Sequence, residues 1–104
     1  MELQFIEDHE NIKGLKSKDF ISQLIINNTT ERDPCFWVSP LMINDGGCAG
    51  WFCTFSDDNC EYHLRNNKGA VRVFSTIEAA LVFYRKITFS DGSCITSVLV
   101  GVVN

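Results

Sequence analysis

The stretch Arg65-Asn66-Asn67-Lys68-Gly69-Ala70-Val71-Arg72-Val73-Phe74-Ser75-Thr76-Ile77-Glu78-Ala79-Ala80-Leu81-Val82-Phe83-Tyr84-Arg85-Lys86-Ile87 decides the fold class. It reads as a turn, a strand and a helix in succession. Asn66, Asn67 and Gly69 tolerate positive φ, so the chain can reverse there. Val71 to Phe74 is β-branched and aromatic, with Arg72 between two valines, as in a strand with one buried face. Ser75 offers a side-chain oxygen to the free N–H groups of a new helix, and Glu78, three residues on, can reach back to complete a capping box. Ile77, Ala80, Leu81 and Tyr84 recur at helical spacing. Arg85 and Lys86 fall at the negative end of the helix dipole.

The preceding chain is a series of short apolar runs divided by turn residues. Cys60 to Arg65 alternates cleanly, with Cys60, Tyr62 and Leu64 inward and Glu61, His63 and Arg65 outward. The turn Ser56-Asp57-Asp58-Asn59 joins it to a strand over Gly50 to Phe55. There Trp51, Cys53 and Phe55 share one face, and Phe52 and Thr54 the other. Asn44-Asp45-Gly46-Gly47 is a further turn signal. Cys35 to Ile43 is interrupted by Pro40, which cannot donate to a ladder, so it is an edge strand, a bulged strand or two short pieces. The four segments make a meander of three or four antiparallel strands.

Phe20, Ile21, Leu24 and Ile25 form a helical face between Lys18 and Asn27, which Ser17 can cap. Asp8 to Lys18 is charged, carries Gly14 and reads as a loop or a broken helix. Residues 1 to 7 are a short edge strand or the lead-in to a helix, and Thr29 to Pro34 is a short loop. Beyond the turn Ser90-Asp91-Gly92-Ser93, Cys94 to Val103 is close to a continuous apolar run, which predicts a strand covered on both faces. The expected architecture is a single α+β domain over residues 1–104. An antiparallel sheet of four to five strands carries two helices, near 17–28 and 76–87.

Composition narrows the function classes. The 104 residues are 45% hydrophobic, enough for one core and too apolar for general disorder. The nine Lys and Arg are scattered, and the net charge is −4 with a pI near 5.0, which argues against a phosphate-binding basic face and so against nucleic acid. No apolar run approaches the roughly 18 residues of a membrane span. The acidic start, Met1-Glu2-Leu3-Gln4-Phe5-Ile6-Glu7-Asp8, lacks a signal-peptide pattern, so a cytoplasmic protein with reduced thiols is expected. Five cysteines, an odd number, leave at least one unpaired in a monomer. Asn27-Asn28-Thr29 and Asn28-Thr29-Thr30 match the glycosylation pattern, but without export they are polar loop residues.

No constellation of reactive residues carries a chemistry on its own. Cys48, Cys53, Cys60 and His63 are separated by four, six and two residues, whereas structural zinc sites bring ligands in as close pairs. These cysteines read better as small buried hydrophobes, and no metal or cofactor is expected. Cys35, Cys48 or Cys94 with His63 or His9 would be needed for a nucleophilic pair, and no triad-like context accompanies any of them. Asp57 and Asp58 sit in a turn, where carboxylates are usually solvated. Neither glycine-containing turn has the spacing of a phosphate-binding loop.

The aromatics are the remaining signal. Two tryptophans and several phenylalanines in adjacent strands exceed what one face of a small sheet needs, and Trp and Tyr are enriched at interfaces. Trp37 and Phe52 are the candidates for a partly exposed pair. Trp37, Trp51, Phe52, Tyr62 and His63 are the candidate ligand or interface residues, with no catalytic residue assigned.

The run Gly69, Arg72 to Ser75 and Ile77 to Ala80 resembles a segment of small proteins encoded on bacterial mobile elements, including plasmid accessory proteins and integron gene-cassette products. The match covers about a fifth of the chain. It implies a compact bacterial α+β protein, often oligomeric, and supplies no catalytic residues. The expected function is that of a non-enzymatic binding or adaptor protein that forms a homodimer, the commonest closed assembly, and that can also hold a protein partner. Self-contact is expected through the C-terminal strand or the aromatic pair. The alternative is a small-ligand-binding protein or minor enzyme with a pocket between helix and sheet, lined by Trp51, Tyr62, His63 and a cysteine.

Overall fold

A computed structural model describes residues 12–29, 35–42, 46–57, 60–89 and 91–101. Their element order is β1 (Ile12–Lys16), α1 (Ser17–Thr29), β2 (Cys35–Met42), β3 (Cys48–Ser56), β4 (Glu61–Arg65), α2 (Ile77–Arg85) and β5 (Leu99–Val100). The five strands form one sheet in the order β1-β4-β3-β2-β5. The α+β class and the two helices stand as expected, but the sheet is mixed rather than antiparallel. β4, β3 and β2 are antiparallel neighbours, while β1 pairs parallel with β4, and β5 parallel with β2. Four strands therefore point one way and β3 alone runs against them. Among the described residues no helix is long and apolar enough to cross a membrane.

The two parallel edges come from the segments whose local reading was least specific. β1 occupies Ile12 to Lys16, within the charged stretch read as loop or broken helix. Gly14 is buried and Leu15 packs against the core, while Lys13 and Lys16 are exposed. Register against Glu61 to Arg65 supplies what the local sequence lacked. Residues 1–7 lie outside the described residues. At the other end, the run from Cys94 is not one covered strand. Ile95 is buried and Val98 packs against the core, but only Leu99 and Val100 pair with β2 and both are exposed. An apolar run marks material able to be buried, and at an edge only part of it is.

Val71 to Phe74 is also not a regular strand. The β3–β4 ladder spans only Thr54 to Ser56 against Glu61 to His63. Beyond it the connector bridges the two strands, with Val71 opposite Arg65 of β4 and Phe74 opposite Trp51 of β3. Trp51 and Phe74 exchange both backbone hydrogen bonds at 2.8 Å. The reversal that starts the connector is the predicted one. The Asn66 side chain accepts from the N–H groups of Lys68 and Ala70, and Gly69 takes φ +89°. Along β2, Pro40 sits inside the strand opposite Trp51, and a register shift falls at Leu41/Met42.

Both helices lie on one face of the sheet. α1 packs on β1 and β4, and α2 on β3 and β2. They meet over Phe55: the Phe20 ring of α1 stands edge-on to Phe55 at 4.9 Å and lies 6.5 Å from Tyr84 of α2. Phe55 stacks in turn on Tyr62 at 4.7 Å. Each such pair adds about 0.5–1.5 kcal/mol to the burial of its rings. α2 starts one residue later than the capping-box reading placed it. Thr76, not Ser75, is the N-cap, and its hydroxyl accepts from Ala79 N–H at 3.1 Å. Either hydroxyl satisfies the local rule, and the path of the connector selects Thr76.

Gly50 is where that path is tightest. A Cβ there would lie 2.3 Å from Val73 Cγ1 and 2.7 Å from the Phe74 carbonyl oxygen, and the residue holds φ +147°. Both the space and the backbone conformation require glycine. Gly50→Ala is expected to cost about 2 kcal/mol or more, through strain and overpacking together. A urea midpoint unchanged from wild type would show that the connector does not pass this close.

Candidate functional site

The five sequence-predicted residues do not form one site. Strand parity divides them. Trp51 and Tyr62 lie on the helix face with Cys53 and Phe55, in or against the core. Trp37, Phe52 and His63 lie on the opposite face, Trp37 across from Thr54 and Thr54 across from His63. Phe52 and His63 stack with ring centroids 6.1 Å apart and an interplanar angle of 19°. His63 Nε2 also donates to Glu61 Oε2 at 2.7 Å, so the imidazole is held on one side by a ring and on the other by a carboxylate. Trp37 and Phe52 are both half-buried. Between them lie Ser39 and Thr54, each 1% exposed, whose hydroxyls hydrogen-bond to none of the described residues. A buried hydroxyl left unpaired costs about 1–3 kcal/mol, which makes this strip the least satisfied part of the sheet.

On the helix face the chemistry is that of a sealed core. Tyr84 is fully buried, and its hydroxyl lies 2.7 Å from the Thr54 carbonyl oxygen and 3.0 Å from that of Trp37, donating between them. Burial, then the adjacent Cys53, holds its phenol well above the usual tyrosine range. Cys53 is also fully buried, with Sγ 3.9 Å from the Ala80 carbonyl oxygen. Burial pushes its thiol from 9.0 up to about 12, opposed in part by Arg72 and by a hydrogen bond with Tyr84. A thiol so placed is not a nucleophile at neutral pH. Cys35, Cys48 and Cys94 are exposed, and Cys60 is intermediate. Cys35 and Cys94 line one cavity of about 520 Å³ between the start of β2 and the segment before β5. No group of three or more His, Cys, Asp or Glu side chains among the described residues is arranged to hold a metal ion.

Two features escaped the sequence reading. Asn27, taken as the polar end of α1, is 1% exposed. It accepts from Gln23 Nε2 at 2.8 Å and donates to Asp57 Oδ2 at 2.9 Å. Asp57, taken as a solvated turn former, uses its other oxygen to accept from the Cys60 N–H at 2.8 Å. This polar clasp joins α1 to the β3–β4 turn. No local pattern distinguishes a buried asparagine of this kind from a helix-ending one.

The second is a groove of about 430 Å³ between α1, the connector and α2. Ile21, Phe74, Val82, Phe83 and Ile87 supply apolar lining, and Arg72 and Lys86 the cations. The Arg72 guanidinium lies 4.9 Å over the Phe74 ring and 5.6 Å from that of Phe83. Its Nη1 donates to Ser17 Oγ at 2.8 Å. Arg72 between two valines was legible as a strand residue turned outward; that it turns into a groove depended on where α1 comes to lie.

Two measurements test the electrostatics of the core. Cys35, Cys48 and Cys94 are expected to react quickly with a thiol reagent at pH 8, and Cys53 only after unfolding; five thiols reacting at one rate in the native protein would remove Cys53 from the core. Unfolded Cys53 ionises near 9.0, whereas native Cys53 keeps its proton to about 12. The native state therefore binds more protons between these values. Stability is full below about pH 9 and falls as pH rises toward 12, by up to about 1.4 kcal/mol per pH unit for one proton. Cys53→Ala is expected to make that fall shallower in urea titrations at pH 8 and pH 10.5.

No family model, curated protein or solved structure matches this chain.

Proposed function

We propose that this chain is a non-enzymatic binding protein that self-associates, edge to edge, through β5. The observation that carries this reading is the exposure of two consecutive apolar residues on a sheet edge, Leu99 at 46% and Val100 at 51%. An edge strand presents unpaired backbone groups and is a template for another strand. The two edges of this sheet are unlike. β1 carries the exposed Lys13 and Lys16, charges that blunt an edge, whereas β5 carries only Leu and Val. A second copy related by a two-fold axis would pair β5 with β5 antiparallel and cover the four side chains at once.

A cytoplasmic setting fits the odd cysteine count and the three exposed thiols. The resemblance to mobile-element proteins points to a bacterial source and agrees with an oligomer. A pocket built from Trp51, Tyr62 and His63 is not favoured, because His63 lies across the sheet from the other two.

Light scattering across a concentration series tests the reading. The wild-type chain is expected at twice the monomer mass of 11.7 kDa. Leu99→Glu combined with Val100→Lys is expected to return it to monomer, while Ile26→Glu, at an exposed apolar site on α1, is expected to leave the mass unchanged. A wild-type monomer at every concentration would overturn the proposal.

A further inference from the structure

The groove between α1 and α2 is a built site independent of the β5 edge, and we infer that it binds a small organic monocarboxylate with an apolar body. The anion is specified by Arg72. A guanidinium has five N–H donors in a rigid fork, and here Nη1 donates to Ser17 Oγ. The guanidinium lies over the Phe74 ring and near that of Phe83, and Ser17 Oγ is the one acceptor it meets among the described residues. Among the described residues no carboxylate forms an ion pair with it. A permanently charged group, half-buried against two aromatic rings and with no counter-ion among the described residues, favours an anion that can accept two parallel hydrogen bonds.

The body of the ligand is specified by the walls. Besides Arg72 and Phe74 the groove is lined by Ile21, Val82, Phe83 and Ile87, with Lys86 near the end of α2 as the second cation. Its volume, about 430 Å³, falls in the range of small-molecule sites, about 300–1,000 Å³. A single carboxylate on Arg72, with a phenyl or short aliphatic body on Phe83 and Val82, uses both parts of the groove. Val82 is among the exposed large hydrophobics, so the site is open to a ligand from solvent.

The test is an NMR titration of the full chain with 4-phenylbutyrate and its neutral analogue 4-phenylbutanamide, following the Arg72 side-chain Nε–H and the amides of Val82 and Phe83. Saturable shifts are expected with the acid, and binding at least about tenfold weaker with the amide, the difference set by charge-assisted hydrogen bonds. Arg72→Gln is expected to weaken the acid about tenfold or more. Val82→Trp, which fills the groove and leaves Arg72 in place, is expected to abolish binding with an unchanged thermal midpoint. Equal binding of acid and amide, or no saturable shift with either, would overturn the inference. So would shifts of the same amides with protein concentration alone, since a second copy would then be the occupant.

Discussion

One hydroxyl holds the two layers in register. Tyr84 is the largest fully buried side chain among the described residues, and its O–H reaches the carbonyl oxygens of Trp37 and Thr54, which face each other across β2 and β3. The ring fills the space between α2 and the sheet, touching Phe20, Phe36 and Phe83. A phenol buried without a partner would cost about 1–3 kcal/mol, so the hydroxyl fixes how far along the sheet α2 can slide. Cys53 and Ala80 come together beneath it because of that placement.

From this anchor the rest of the helix face follows. With α2 set over β2 and β3, α1 can only cover β4 and β1, and Phe20 closes the seam by standing on Phe55. The groove is what remains where the helices diverge over the connector. Arg72 occupies it because its backbone is tied to Leu64, by N–H to carbonyl oxygen at 3.0 Å, while its head reaches Ser17. The same stacking that stabilises the guanidinium also presents it, so packing and recognition are not separate uses of this residue.

The far face of the sheet is chemically different. Trp37, Phe52 and His63 surround two hydroxyls that find no partner among the described residues, and no helix among those residues lies there. His63 is committed between the Phe52 ring and the Glu61 carboxylate. The cysteines divide similarly, with Cys53 sealed in the core and Cys35, Cys48 and Cys94 exposed.

Residues whose role is set by near neighbours were readable directly. The Asn66–Gly69 reversal, the alternation of β4, the periodicity of both helices and the placing of Trp51 and Phe52 on opposite faces all follow from periods of 2 and 3.6 and from turn chemistry. Interactions between distant segments were not. β1 is a strand because β4 offers it a parallel register, and β5 stops at two residues because it meets only β2. Val71 to Phe74 bridges two strands rather than forming one, because the β3–β4 ladder ends early. Asn27 is buried because Asp57, thirty residues on, accepts from it. The sequence by itself determined both helices, the Asn66–Gly69 turn and the antiparallel strands β2 to β4, since those depend on local sterics and hydrogen bonding. Only the tertiary structure decided which edges are parallel, which aromatics share a face with a histidine, and that Arg72 lines a groove, since each depends on a partner that no local pattern names.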